Sequence, residues 1–531
     1  MGNDFGQLLS KSADTRYSRT HEYVSRLPPL GPAACATLAL VVSYVAGPHL
    51  YDDAYITLRY ARSIADAHAF VFNPGERVLG TTTPLFTLAI AALHMGSGIS
   101  FETLAFALAV AGHAAAAALI ALFGCRCGFA IAGVLAGVLY AVAPVAVGPT
   151  LGGMETSLFT AAALAALMPP TCPLRTWQNI VAAAAVLLRP EGVLVALLRI
   201  AAAWRTGRRA AWRTALVIAV CTLPWIVFAT TYFGSPLPQS VLAKWAAAGH
   251  ASAWRASEFF LYLLLSLPFC APLPSFGLPA RVSFGLQIAS NLPIPGPLGV
   301  RHAIVLIGAA LMMTLMAVGG GAIYRRCRDS VWMVAFALLY VVSYSLVDPP
   351  IFGWYLVPPL PIALLLFLVA GVEIVQVCIQ RPRRREWTFA ALAVALLAPA
   401  VHQLRRLPGT PLTGREQAYH QAVLLIGPPA QDEHTVIGAL EIGTVGYFTR
   451  ARVLDYYGLV SPDLLGRGID TIIETYHPDY FIVHEGLARW EGVLSDAQFI
   501  RDYERCARVD ASAGFVRAEI QVWQRRDAVT R

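Results

Sequence analysis

The chain has 531 residues, of which 57% are apolar and only 14% charged, and its formal net charge is +8. Soluble domains carry about 25% charged residues, so a string of soluble domains is excluded, together with disorder, collagen, coiled coil and a disulfide scaffold. What remains is a polytopic α-helical membrane protein, with apolar runs near the roughly 20 residues that cross a bilayer.

Residues 1–32 are polar and carry Lys11, Arg16, Arg19 and Arg26, which places the N-terminus in the cytoplasm. The first apolar run, 33–50, has no small-x-small cleavage site and reads as an uncleaved anchor. Further spans are expected at 101–123, 128–148, 157–169, 177–188, 190–203, 214–232, 303–323, 331–347, 354–377 and 387–401, about eleven crossings in all. Arg126, Arg175, the Arg205–Arg213 cluster, Arg325–Arg328 and Arg381–Arg385 mark the cytoplasmic side. Two short apolar stretches, Pro84–Met95 and Phe259–Pro272, do not fit this parity and read as in-plane or re-entrant helices on the outer side. The outer loops are then 51–100 and 233–302, and 402–531 lies outside the cytoplasm.

That tail holds 16 of the 32 acidic residues beyond Ala430 and reads as a small α/β domain. Strands are expected at 435–440 and 480–483 and a helix over 462–476, with Gly443, Gly446 and Gly458 marking turns. Gly438 and Thr444 do not form a phosphate loop, because no Gly-Lys-Ser/Thr follows. The tail reads as a structural or acceptor-positioning domain. The nine cysteines lie mostly in apolar segments without metal-ligand spacing, and are small core residues. The positive charge sits in short loops between apolar runs and does not indicate nucleic acid.

The chemistry concentrates in the first outer loop, which begins Tyr51-Asp-Asp-Ala-Tyr-Ile-Thr-Leu-Arg-Tyr-Ala-Arg. Asp52 and Asp53 emerge directly from the first span, where an ionised carboxylate is costly unless it meets water, a cation or a partner. Helical spacing then puts Tyr55, Arg59, Arg62 and Asp66 on a polar stripe, and Ile56, Tyr60 and Ile64 on a face suited to packing on the membrane body. One carboxylate serves as a helix cap; the second calls for another role. Glu155 sits at the top of the third and fourth spans, either as a functional acid or as a helix N-terminal charge. Arg189-Pro-Glu191 breaks a long apolar run into a hairpin whose tip carries either an ion pair or a substrate contact. Lys244 is one of only two lysines among the 40 basic residues, and a compact ammonium suits a phosphate.

Taken in order, these segments carry a resemblance. The Tyr51–Arg62 segment, Phe72-Asn-Pro-Gly-Glu-Arg77, Thr82-Thr-Pro-Leu, Gly153-Met-Glu-Thr156, Leu188-Arg-Pro-Glu-Gly192, Tyr232-Phe-Gly-Ser-Pro-Leu-Pro238 and Trp354-Tyr-Leu-Val-Pro358 resemble motifs of the GT-C glycosyltransferases. The likeness runs over roughly residues 33–375 and is nearest to the arm containing the terminal arabinofuranosyltransferases of the actinobacterial cell wall. The resemblance implies an inverting glycosyltransferase in the plasma membrane, with a polyprenyl-phosphate sugar as donor and an extracytoplasmic glycan, lipid or protein as acceptor. It gives the catalytic role to Asp53 or Asp52, and offers Lys244, Arg59, Arg62, Arg189 and Glu155 for the donor phosphate and substrate. It also allows a divalent cation (Mg, Mn or Ca) on Asp52, Asp53 and Glu155, although the usual paired acid motif is not in the chain. The competing class is a transporter or lipid-linked-sugar flippase; the expected spans are poor in charge and show no inverted repeat.

Overall fold

The computed structural model describes residues 30–169, 176–248, 260, 298–347, 352–404, 414–485, 493–510 and 519–526. The basic N-terminal segment, nearly all of the stretch 259–272, and much of the loop 233–302 lie outside the described residues.

Apolar helices stand where each expected span was placed: Leu30–Ala46, Phe101–Arg126, Ala130–Val142 with Pro144–Leu151, Thr156–Leu167, Thr176–Leu188, Gly192–Trp204, Arg208–Phe233, Leu298–Arg326, Val331–Val347, Leu360–Cys378 and Pro382–Leu404. Among the described residues five helices are long and apolar enough to cross a membrane, or six if the bent pair is counted as one span. Pro84–Ser97 is a short apolar helix of 14 residues. The run expected as one span at 128–148 is two helices bent by 48°. Pro144 has no N–H to continue the ladder and pushes Ala143 out of helical geometry, to a ψ of 120°.

Small residues let these helices approach closely. A Cβ at Gly124 would lie 2.4 Å from the Gly133 Cα, and one at Gly112 would lie 2.4 Å from the Leu158 backbone. In an apolar medium such contact between backbones is a main source of helix association.

The tail contains a five-stranded sheet in the order β2-β1-β3-β5-β4. The strands are β1 (Val436–Ala439), β2 (Arg452–Asp455), β3 (Tyr480–His484), β4 (Tyr503–Asp510) and β5 (Glu519–Arg525). β1 runs parallel to β2 and β3, whereas β5 pairs antiparallel with β3 and β4. The helix expected over 462–476 is a 3-10 turn, Pro462–Leu464, followed by the helix Ile469–Tyr476. Gly458 does mark a turn, with φ at +76°. Gly443 and Gly446, read as turn residues, instead lie inside a short helix, Ile442–Phe448, that links β1 to β2.

This short helix docks on the helix Asp52–Ala67 and corrects the amphipathic reading of the latter. The Asp52–Ala67 helix is covered on two sides. Tyr55, Leu58 and Ala61 join the core of the membrane helices. Ile56 and Tyr60, expected against the membrane body, pack with Phe70, Phe72 and the tail residues Ile442 and Val445.

Candidate active site

Asp52 and Asp53 are neighbours in sequence but about 100° apart around a helix, so they face different surroundings. Asp52 is buried, and its two carboxylate oxygens accept the N–H groups of Gly443 (2.9 Å) and Thr444 (2.7 Å). Asp52 therefore caps the N-terminus of the tail helix rather than its own. Gly443 permits the approach: a Cβ there would lie 1.7 Å from the Asp52 carbonyl oxygen.

Arg59 and Arg62, candidates for the donor phosphate, are engaged elsewhere. Arg59 donates from Nη1 to the Gly446 carbonyl (2.5 Å) and to that of Thr449, and from Nε to Phe72 (2.9 Å). Arg62 donates to the carbonyls of Tyr447 (2.6 Å) and Thr449 (3.0 Å). The two helices run side by side in the same direction. The Asp52–Ala67 helix thus sets a negative charge at the N-terminal end of its partner and two positive charges at the C-terminal end. A helix dipole favours this arrangement, by about 0.3–1 kcal/mol for each end charge. Asn73 extends the clamp by exchanging two hydrogen bonds with the Val453 backbone (2.9 and 3.0 Å).

Asp53 is only partly buried. Burial pushes its carboxyl up, and Lys244, then Arg415 and Arg189, pull it back down. Lys244 lies on the helix Gln239–Ala248. Its Nζ donates to the Tyr355 hydroxyl (3.2 Å) and stands 5.6 Å from the Phe352 ring centroid and 5.8 Å from that of Tyr355. Burial works against the ammonium, yet Tyr355 and Asp53 hold its pKa above the ordinary lysine value. A cation held among aromatic faces beside a carboxylate stays charged and keeps its place.

The hairpin tip joins this group. Arg189 Nη1 donates to Glu155 (2.6 Å) and Nη2 to Glu191 (2.9 Å). The Tyr344 hydroxyl donates to Glu191, and the Arg189 guanidinium stands 5.3 Å from the Tyr355 ring. Gly192 makes the turn possible, since a Cβ there would lie 2.1 Å from the Ala185 carbonyl oxygen. Glu155, Arg189 and Lys244 are thus linked through Tyr355, Asp53 acts on Lys244 and Arg189 electrostatically, and Arg59 and Arg62 bond elsewhere. Arg415 and Glu441, which sequence reasoning missed, reach the same place from the tail. Arg415 donates to Glu441 (3.3 Å) and Glu416 (2.6 Å).

Solved structures share this architecture. ArnT from Cupriavidus metallidurans, bound to undecaprenyl phosphate, superposes with a TM-score of 0.53 at 14% identity over 92% of this chain and 97% of that one. The apo oligosaccharyltransferase of Archaeoglobus fulgidus gives 0.55 at 13% identity over 86% and 70%. The chain has the GT-C fold. It is a multi-pass membrane protein with a small α/β domain at its C-terminal end. The mycobacterial arabinofuranosyltransferase AftD scores 0.44 at 14% identity, covering 93% of this chain and 39% of that one, too slight a likeness to bear on the sugar. A family described as a domain of unknown function, DUF8728, matches residues 412–526. Among curated protein sequences none matches.

The archaeal enzyme has also been crystallised with Zn and sulfate. In this chain the acids Asp52, Asp53 and Glu155 do not assemble a cation site. Asp52 is held by two backbone N–H groups and Glu155 by Arg189. Among the described residues no three His, Cys, Asp or Glu side chains converge. As arranged, these acids do not fit a divalent cation, and no step below is routed through one.

Proposed function

We propose that the protein is an inverting glycosyltransferase that moves a sugar from a polyprenyl-phosphate donor to an acceptor hydroxyl at the outer face of the plasma membrane. One observation supports this reading: an acid and a cation, Asp53 and Lys244, act on each other electrostatically just beyond the ends of the apolar helices Leu30–Ala46 and Arg208–Phe233. A lipid phosphate must stay at that level, because its tail remains in the bilayer. The undecaprenyl phosphate bound by ArnT, a protein of the same fold, supports a donor of this kind.

In the reaction the acceptor oxygen attacks C1 of the sugar and Asp53 takes the hydroxyl proton. The bond from C1 to the phosphate oxygen breaks, and its electron pair leaves with the polyprenyl phosphate. Lys244 faces the charge that grows on the phosphate, an interaction that strengthens as the sugar departs. Attack opposite the leaving group inverts the anomeric centre. Tyr355 orients the ammonium, and the Glu155–Arg189–Glu191 cluster holds the wall behind it. The topology belongs to the same proposal: about eleven crossings, N-terminus inside, tail outside. The order of the motifs makes arabinofuranose the first sugar to assay.

Mass analysis of envelope glycans after deletion of the gene tests the reading. One sugar should disappear and its polyprenyl-phosphate form accumulate, with wild type but not Asp53→Asn restoring the glycan. Unchanged glycans and lipid-linked sugars would overturn it.

A further inference from the structure

The tail brings to the cluster charged groups that the transfer step does not use. β1 lies between two parallel neighbours, and its carboxyl end leads directly to Glu441 and the docked helix. Open α/β sheets bind ligands at such carboxyl ends. The helix Gly414–Ile426 adds Arg415, Glu416 and Tyr419 at the same edge. The Arg415 and Glu441 side chains are 37% and 24% exposed, whereas Glu416 behind them is 2% exposed, so the pair has an open outer side.

Three buried polar atoms near this pair have no hydrogen-bond partner: Tyr419 Oη, Thr444 Oγ1 and His484 Nδ1. Each is at least nine-tenths buried, and such atoms ordinarily find partners. Arg415 acts electrostatically on both Tyr419 and His484. Thr444 contributes its own N–H to Asp52. The edge is therefore rich in polar groups beyond what its internal bonds consume.

Charge decides what suits it. Among the described residues the cations acting on Asp52, Asp53, Glu416 and Glu441 are Arg415, Lys244 and Arg189, and Arg189 already pairs with Glu155 and Glu191. Arg415 already serves two carboxylates, and Lys244 belongs to the donor. Burial pushes the Glu441 carboxyl up to about 7, so near neutrality the site leaves no cation spare for an anionic acceptor, whereas hydroxyl groups can donate to Glu441 and accept from Arg415.

We propose that Glu441 and Arg415 bind the hydroxyl groups of a neutral, polyhydroxylated acceptor and hold one of them toward Asp53. This rests on the transfer reaction proposed above and adds the class of acceptor. The tail is then one wall of the acceptor site.

Direct binding separates this inference from the reaction itself. The full-length protein in nanodiscs would be titrated with neutral envelope glycan extracted from cells lacking the gene, and with the same glycan after chemical phosphorylation. Wild type should bind the neutral glycan more tightly. Glu441→Gln should weaken that binding by about tenfold to a hundredfold, the scale of a lost hydrogen bond to a charged group, and should narrow the preference against the phosphorylated form. Glu441→Asp should recover part of the affinity, which a merely structural role would not predict. Unchanged hydrogen exchange at Gly443 and Thr444 would show that each variant keeps the tail docked. Wild-type affinity in Glu441→Gln, or tighter binding of the phosphorylated glycan by wild type, would overturn the proposal. Glycan binding that depends on Glu441 without any sugar transfer would uphold it and refute the transferase reading instead.

Discussion

Replacing Asp52 by asparagine keeps the shape of the side chain and removes its charge. The carboxylate accepts two N–H groups, from Gly443 at 2.9 Å and Thr444 at 2.7 Å. Hydrogen bonds to a charged group contribute about 1.5–3 kcal/mol each, and a charge at a helix end adds about 0.3–1 kcal/mol. Asparagine retains one accepting oxygen, so the loss should be about 2 kcal/mol. That corresponds to roughly a 30-fold larger undocked fraction of the tail helix. Hydrogen exchange at the Gly443 and Thr444 amides reads this opening directly, and both should exchange faster by about that factor. Asp53→Asn is the control. Burial raises the Asp53 pKa in the folded protein, so its stabilising share is present at low pH and lost as pH rises through the folded value. At neutral pH the asparagine removes a cost and should not loosen the helix. Equal exchange in Asp52→Asn and wild type, or equal acceleration in both variants, would refute the division of labour between the two acids.

Other outcomes follow from the same geometry. Lys244→Ala should lower transfer strongly at limiting donor, and Lys244→Arg should recover part of it, because charge is kept while the compact shape is not; equal rates in wild type and Lys244→Ala would return the phosphate to Arg189. Transfer should fall with acidity through a pKa above that of an ordinary aspartate, since Asp53 must be ionised to take the proton and burial raises it. Lys244→Ala should move this acid limb to still higher pH by removing the pull that Lys244 exerts, and an unmoved limb would separate the two residues. A reporter active only outside the cytoplasm, fused after Arg531, should be active; a stable but inactive fusion would reverse the topology.

The apolar helices were legible because their signal is compositional: apolar runs need no knowledge of tertiary contacts. The bend at Ala143 was equally available in Pro144 but was absorbed by an apolar run long enough for one span. Asp53 stood out as one of two adjacent acids, and Lys244 through its rarity. Arg59 and Arg62 misled for a physical reason. An arginine stripe beside a carboxylate pair looks alike whether it faces a phosphate or the carbonyl end of a helix, and the docked helix lies nearly 400 positions away in the chain. Arg415 carried no local signal, because its place comes only from the packing of its helix, Gly414–Ile426, on the docked helix and the sheet. Gly443 and Gly446 were visible as glycines, but close approach and turn are indistinguishable in sequence. The sign that could have been read is an acid, Glu441, immediately before a short apolar segment with glycines three positions apart.

The central claim is that Asp53 accepts the acceptor's proton in transfer from a lipid-linked sugar. The most direct measurement uses purified protein in liposomes with a radiolabelled polyprenyl-phosphate sugar and envelope glycan from the deletion strain, following label transfer and the anomeric configuration of the product. Wild type should give an inverted linkage and release polyprenyl phosphate, and Asp53→Asn should be slower by roughly 100-fold or more, the scale of a lost general base. Transfer by Asp53→Asn at the wild-type rate, or a product with retained configuration, would contradict the account.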